Sequence, residues 1–491
     1  MGSAPCFIVA ALLALHGFPP SRPPIPTHRV TIADVMRARA AGWQQVQAPS
    51  PFGQNGAGTE LLMTDGSVMV SDNMQNWYRL IPDKHGSYVN GRWKQAGPMP
   101  PDYGPLYFAS ALLSDGKLEI EGGEDNQHDI ETNKGAIYDP VADVWTSVAP
   151  PNGWAHIGDA PSVVLADGTL MIGSCCYISQ ALFDEASLSW TLTGKGKADS
   201  SSEEGWTLLP DGEVLTVDVS TEPNSELYNP RTGAWSFAGT IPVDLTQSSD
   251  IGPQILRPNG TVFAAGGSRH TAIYQTHRHR WIAGPDFPIV NGQQLDITDG
   301  PATLLTNGDV LMAASPGVFN PPMSMLVFDG STFSVIAGPP NSSNDSSYNI
   351  RLLMLPTGQV LETDESDDVE VYTPHVGRDR AIAPTITSVS TTLTRGDTYQ
   401  IAGTLFNGVS QANAYGDDDQ QATNYPLVRI RNVVTGRVFY ARTHDHSFMG
   451  VASTATVTTL FDVPADTDVG ASTIEVIANG IPSDPVAVTI D

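Results

Sequence analysis

The chain has 491 residues, with 53 Asp and Glu against 25 Lys and Arg, giving a formal net charge of -28. That balance excludes nucleic acid and anionic membrane as partners and favours cations or neutral ligands. The 46 glycines and 38 prolines point to a turn-rich all-β chain, long enough for two or three cores.

The first element is residues 6–18, CFIVAALLALHGF, the only long apolar run. It is too short to span a bilayer and has the length of a signal-peptide core, although no Lys or Arg precedes it. The expectation is a signal peptide over 1–22, then a Pro-rich spacer and short helix over 23–39, and a secreted or periplasmic protein without a membrane span. With Cys6 removed, Cys175 and Cys176 remain. Adjacent in sequence, they are able to form a vicinal disulfide in an oxidising compartment. Its role is either a rigid staple or a functional feature, namely a flat ligand platform or a redox switch.

A short motif then recurs: an apolar strand, Asp-Gly or a close variant, and a second apolar strand. The turn glycines are Gly66, Gly116, Gly168, Gly212, Gly260, Gly308 and Gly358, spaced by 50, 52, 44, 48, 48 and 50 residues. A two-residue turn at Asp-Gly fits because Gly tolerates positive φ. Downstream, Tyr138 precedes Trp145, Phe183 precedes Trp190, Tyr228 precedes Trp235 and Tyr274 precedes Trp281. Seven copies at this period, with this aromatic pair, resemble kelch-repeat β-propellers. The seventh copy ends at Tyr372 without a following Trp strand, whereas Trp43-Gln-Gln-Val-Gln-Ala-Pro49 is similar to Trp145-Thr-Ser-Val-Ala-Pro150. The N-terminal segment is therefore expected to close a seven-bladed propeller over 40–378.

In such a disc the start of each innermost strand lies on the face opposite the Asp-Gly turns. Counting back nine or ten positions from each turn glycine gives Tyr107, Asp159, Glu203, Asp250, Asp299 and Tyr348-Asn349. Four of the seven blades place a carboxylate there, and the turn face has no such concentration. Acidic residues at strand starts often serve only local turns. As a ring, they suit a hard cation or an acid–base pair, for which Glu203, Asp159 and Asp299 are the candidates. Loops on the same face add His128, Cys175, Cys176, Tyr177 and His270 as candidate ligand-binding residues, beside Tyr107, Asp250, Tyr348 and Asn349.

Beyond Arg380 the period stops, and 381–491 read as an immunoglobulin-like β-sandwich. His444-Asp-His446 there has a spacing that suits metal ligation on an extended strand. The acidic stretch from Tyr415 to Tyr425 reads as a long loop, either functional or solvated.

A seven-bladed kelch propeller followed by this domain resembles galactose oxidase and glyoxal oxidase. The resemblance rests on domain order, on Tyr348-Asn349 ahead of Leu-Met-Leu-Pro-Thr-Gly358, and on Thr443-His444. It implies a site at the channel mouth and a C-terminal segment passing through the channel, with His444 or His446 as a copper ligand. The departures argue against a radical copper oxidase. The family's Tyr-His pair is Tyr-Asn here, and neither Cys175 nor Cys176 precedes an inner strand as the family's crosslinked Cys does. Two functions follow: a propeller binding a glycan or other small polar ligand, with a metal ion (Ca or Cu), or a carbohydrate-active or oxidase-type enzyme using the same carboxylates.

Overall fold

A computed structural model describes residues 31–40, 42–126, 129–221, 223–246, 250–415 and 420–491. The segment read as a signal peptide, 1–22, lies outside these residues. Among those described, no helix is long and apolar enough to cross a membrane. A short helix, Ile32–Ala40, precedes the first strand.

Seven antiparallel sheets form the blades of the propeller, six of four strands and that of blade 6 of five. Blade 1 starts with the innermost strand Glu60–Leu62, blade 2 with Ala109–Leu112, blade 3 with Ser162–Val164 and blade 4 with Thr207–Leu208. Blades 5, 6 and 7 start with Ile251–Leu256, Ala302–Leu304 and Arg351–Met354. Trp43–Gln45 supplies the outer strand of blade 7, with Trp43 opposite Tyr372. The pairing joins the propeller's two ends in one blade and completes that sheet at four strands.

The hairpin turns follow one rule, which differs in detail from the two-residue turn expected. In blade 2 the Gly116 N–H donates to Leu113 O and the Leu113 N–H to Lys117 O, so three residues make the loop. Only the glycine takes positive φ, and all seven turn glycines do so, at 75–92°. The preceding residue has another task. Its side-chain oxygen accepts the N–H two positions on, in Asp65, Asp115, Asp167, Asp211, Asn259, Asn307 and Thr357 alike. Asp, Asn and Thr share that acceptor, which is why the position varies among them.

The aromatic–Trp signature is a cross-strand pair within blades 2 to 5. Tyr138 lies opposite Trp145, Phe183 opposite Trp190, Tyr228 opposite Trp235 and Tyr274 opposite Trp281. Their ring centroids are 4.7–5.3 Å apart. Phe328 and Phe333 take the same places in blade 6. Each such contact adds about 0.5–1.5 kcal/mol beyond simple burial and ties the third strand to the outer one.

The C-terminal region forms one curled nine-stranded sheet. Val438–His444 explains the curl: its first half pairs with Leu427–Asn432 and its second half with Val457–Asp462. Both halves of the sheet contribute to one core, with Ile401 and Phe461 from one side and Ile430, Ile474 and Val488 from the other. The immunoglobulin-like expectation is thus met only to the extent of two β layers around a core; the layers are continuous through a shared strand.

This sheet sits on the turn face of the disc. A Cβ on Gly66 would meet Tyr440, on Gly116 Thr443, on Gly168 Met449 and on Gly358 Gly480. Between Thr404 and Leu427 the chain leaves the sheet and enters the channel. Asn413 and Ala414 add a strand to the inner edge of blade 6, opposite Thr303 and Ala302. The Gln411 side chain accepts from Leu208 N of blade 4, and Asn413 Oδ1 from Met354 N of blade 7. Gln421 and Tyr425 donate to the Glu60 and Leu62 carbonyls of blade 1. Side-chain amides here satisfy the edge groups that innermost strands present to the channel.

Candidate functional site

The far mouth of the channel is built by the loops that lead into the innermost strands. Tyr107, Glu203 and Asp299 each stand nine residues before a turn glycine, in blades 2, 4 and 6, and each has left-handed backbone, with φ of 51°, 58° and 42°. Outside glycine this conformation costs on the order of 1 kcal/mol, and it clusters where side-chain aim matters. It turns Glu203 and Asp299 toward Asp250. Glu203, Asp250 and Asp299 bring one carboxylate oxygen each to within 4.8 Å of one another. Asp250 and Asp299 share a hydrogen bond. Burial holds Asp299 up at about 6, against the lowering effects of Asp250 and of the Arg351 guanidinium.

A second layer surrounds this group. The Glu124 carboxyl is pushed up to about 8 by burial, with Asp125, Glu131 and Asp299 adding repulsion. The Tyr107 hydroxyl is raised first by burial and then by Glu365. Arg351 is buried, with its guanidinium carbon 3.9 Å from the Tyr415 ring centroid and 5.8 Å from that of Tyr107. It donates to the Tyr348 carbonyl at 2.6 Å, which also accepts from the Tyr415 hydroxyl at 2.8 Å. The channel segment therefore carries Tyr415 through to the mouth. Phe319, 60% exposed, packs edge-on against the Tyr348 ring at 5.0 Å. Neither Arg351, Tyr415 nor Phe319 belongs to the set read from the sequence. Arg351 carried a weak signal, as the lone cation beside Tyr348-Asn349. Tyr415 opened a stretch already singled out, and Phe319 gave none.

The remaining sequence-derived residues divide. Asn349 caps a short turn through Ser346 and donates to Glu365 at 3.3 Å, so its amide is held locally. Asp159 lends its backbone to the Glu131 carboxylate. Cys175 and Cys176 are disulfide-bonded to each other, with Tyr177 half-exposed beside them. His270 points to Asp286, at 2.7 Å. His128 lies outside the described residues.

His444 and His446 do not enter the channel, which corrects the expectation drawn from Thr443-His444. Strand Val438–His444 runs along the turn face, where the Thr443 and His446 N–H groups donate to Thr64 and Ser114 of blades 1 and 2. The two rings also separate, because Asp445 is left-handed at φ 50° and the strand ends there. His444 meets Asp445 and Asp462, whereas His446 is buried, bonded to Thr459 at 2.8 Å and stacked on Tyr425. Burial first, then the nearby His444, pulls His446 down to about 3, so its ring is neutral.

The chain thus folds as a seven-bladed β-propeller followed by a C-terminal β region that sends part of its chain into the channel. A fungal alcohol oxidase of the AA5 family, solved in complex with copper, aligns over 92% of this chain and 99% of its own, at TM-score 0.51 and 13% identity. That likeness establishes the fold. A kelch-like protein, terF, of Aspergillus terreus (strain NIH 2624 / FGSC A1156) is 28% identical over 154 residues, 31% of this chain and 30% of the relative. The match thus spans under a third of that relative's length. A virginiamycin B lyase from Staphylococcus aureus aligns with 68% of the chain at TM-score 0.49 and 10% identity. No family model matches the chain.

The residues present do not fit the copper group of such an oxidase. The two cysteines among the described residues, Cys175 and Cys176, are bonded to each other, so neither is available to crosslink a tyrosine. Among the described residues, the acidic groups able to hold an ion at the mouth contain carboxylates and no imidazole. Three hard oxygen donors suit Ca²⁺ or a similar ion instead.

Proposed function

We propose that the protein is a secreted or periplasmic propeller that binds a neutral polyhydroxylated ligand, such as a glycan, at the channel mouth with the help of a hard divalent cation. The observation that carries this reading is the convergence of Glu203, Asp250 and Asp299 within 4.8 Å at the mouth. Three carboxylates in that space repel one another when ionised, and a divalent cation relieves the repulsion while keeping positions open for ligand hydroxyls. The exposed Phe319 ring, held against Tyr348, adds an apolar face of the kind on which sugar rings pack. The vicinal disulfide agrees with an oxidising compartment. Calorimetric titration of the metal-free protein with Ca²⁺, followed by glycan screening with and without Ca²⁺, tests the reading. Heat of binding that is absent in Glu203→Gln supports it. No heat in the wild type, together with no stoichiometric metal on purification, sinks it.

One observation favours a catalytic reading as well. Asp299, held near 6 and hydrogen-bonded to Asp250, is a carboxyl pair of the sort that donates and accepts protons near neutral pH. Turnover of a bound glycan, lost in Asp299→Asn even where saturating Ca²⁺ and glycan restore binding, would select that reading over simple binding.

A further inference from the structure

We propose that Cys175–Cys176 is a redox-active pair that exchanges with a dithiol, and that Glu131 delivers the proton to the departing Cys175 sulfur. Three loops of the face opposite the Asp-Gly turns meet there. Cys175 Sγ lies 3.0 Å from Glu131 Oε2. Glu131 is itself left-handed, at φ 54°, and comes from the loop after the second strand of blade 2. Gly158 makes room: a Cβ at that position would fall 2.0 Å from Glu131 Oε2 and 2.5 Å from Cys175 Sγ. The approach of carboxyl to sulfur therefore depends on the missing side chain.

The two sulfurs differ in access. Cys175 is fully buried, whereas Cys176 is partly exposed and is followed by exposed Tyr177 and Ile178, with exposed Ile130 across the loop. An incoming thiolate therefore attacks Cys176 Sγ and forms a mixed disulfide there. The Cys175–Cys176 bond breaks, its electron pair leaves on Cys175 Sγ, and that sulfur takes the Glu131 proton. The second thiol of the reductant then gives up its proton, attacks its own partner sulfur in the mixed disulfide and releases Cys176, which is protonated in turn. The dithiol is oxidised by two electrons and the cysteine pair reduced by two.

The surroundings keep Glu131 in the acid form needed for the first step. Burial raises it to about 7, opposed by His156 and by the Asp159 backbone and reinforced by Asp125. Its other close group is Glu124 on the same loop, whose carbonyl accepts the Glu131 N–H at 2.7 Å. Glu124 in turn repels Asp299, which connects the disulfide loop with the channel mouth.

The test uses the full-length protein and dithiothreitol from about pH 5 to about pH 9, with alkylation and mass-spectrometric readout of the peptide that holds both cysteines. The rate constant is expressed per dithiothreitol thiolate. The expected wild-type constant is level below pH 7 and falls about tenfold per unit above it, as the carboxyl loses its proton. In Glu131→Gln the constant is lower by about tenfold or more at acid pH, and no longer varies with pH. A wild-type constant that is flat across the range overturns the proposal, as does a pair that resists dithiothreitol in the folded protein and yields only on unfolding. The wild-type profile decides the matter even if the variant does not fold.

Discussion

Two neighbouring residues, Glu203 and Glu204, enter two acidic clusters of opposite character. Glu204, Asp218 and Glu226 lie within 4.8 Å of one another inside blade 4, as Glu203, Asp250 and Asp299 do at the mouth. In blade 4 the cluster holds its own cation. Lys197 Nζ sits 2.8 Å from Glu204 and 2.6 Å from Glu226, and its side chain is fully buried. Burial raises Glu204 to about 8 and Asp218 to about 7 while Lys197 pulls both down. At the mouth the Arg351 guanidinium acts on Asp299, and its Nη1 donates to the Tyr348 and Ile350 carbonyls. Matching carboxylate spacing thus marks a structural salt bridge in one place and a candidate ion site in the other. The first surrounds Lys197 inside a blade, and the second lies at the channel mouth beside Arg351.

The largest expected effect breaks the interior cluster. Lys197→Met leaves buried carboxyls without their ammonium and should cost about 3–5 kcal/mol of stability, read by urea denaturation. A loss under about 1 kcal/mol would mean that the carboxyls are already neutral and that the contrast between the clusters is smaller than drawn.

At the mouth the next largest effect concerns the cation. Calcium must displace the proton that Asp250 and Asp299 share, so affinity should weaken as pH falls through about 6, by up to about tenfold per unit below it. Glu203→Gln should lower affinity at every pH and leave stability nearly unchanged. Calorimetry near pH 5 and near pH 7 distinguishes competition by protons from a pH-independent site.

Blade 2 extends the comparison to Glu119 and Glu121, a buried carboxyl pair. Burial raises both, Glu119 to about 8, and Glu119 further raises Glu121. An acid whose folded value exceeds its unfolded one favours the native state below the unfolded value and loses that contribution as pH rises through the folded one. The melting temperature should therefore drift down between about pH 4.5 and about pH 8, and Glu119→Gln should flatten the drift. The smallest effect belongs to Phe319→Ala. With the ring mostly in water, stability should shift by under about 0.5 kcal/mol, whereas glycan affinity should drop by about 1 kcal/mol if the ring stacks on ligand. Equal glycan binding by both proteins would remove Phe319 from the site.

Much of the architecture was legible because it repeats. Asp-Gly at a spacing near 50 residues and Tyr opposite Trp are local devices, each satisfied within one hairpin or one blade. Position relative to the turn glycine also placed Tyr107, Glu203, Asp250 and Asp299 at one mouth, since strand direction fixes which end of the innermost strand faces where. The histidines failed for the converse reason. His444-Asp-His446 shares a side only while the strand stays extended, and left-handed Asp445 ends it. Thr443-His444 looked like a channel segment, but the route was taken by 405–415 and 420–425, whose Gln411, Asn413 and Gln421 amides match the bare edges of blades 1, 4, 6 and 7.

By itself, then, the sequence determined the blade count, the glycine of each turn and the end of the disc at which Glu203, Asp250 and Asp299 stand, all set by contacts short along the chain or by a fixed period. Tertiary structure alone decided that Glu203 and Glu204 part company, that Tyr415 crosses the disc to reach Arg351, and that Glu131 meets Cys175. Those contacts join loops from different blades or domains, and their distances depend on how sheets pack rather than on any spacing in the chain.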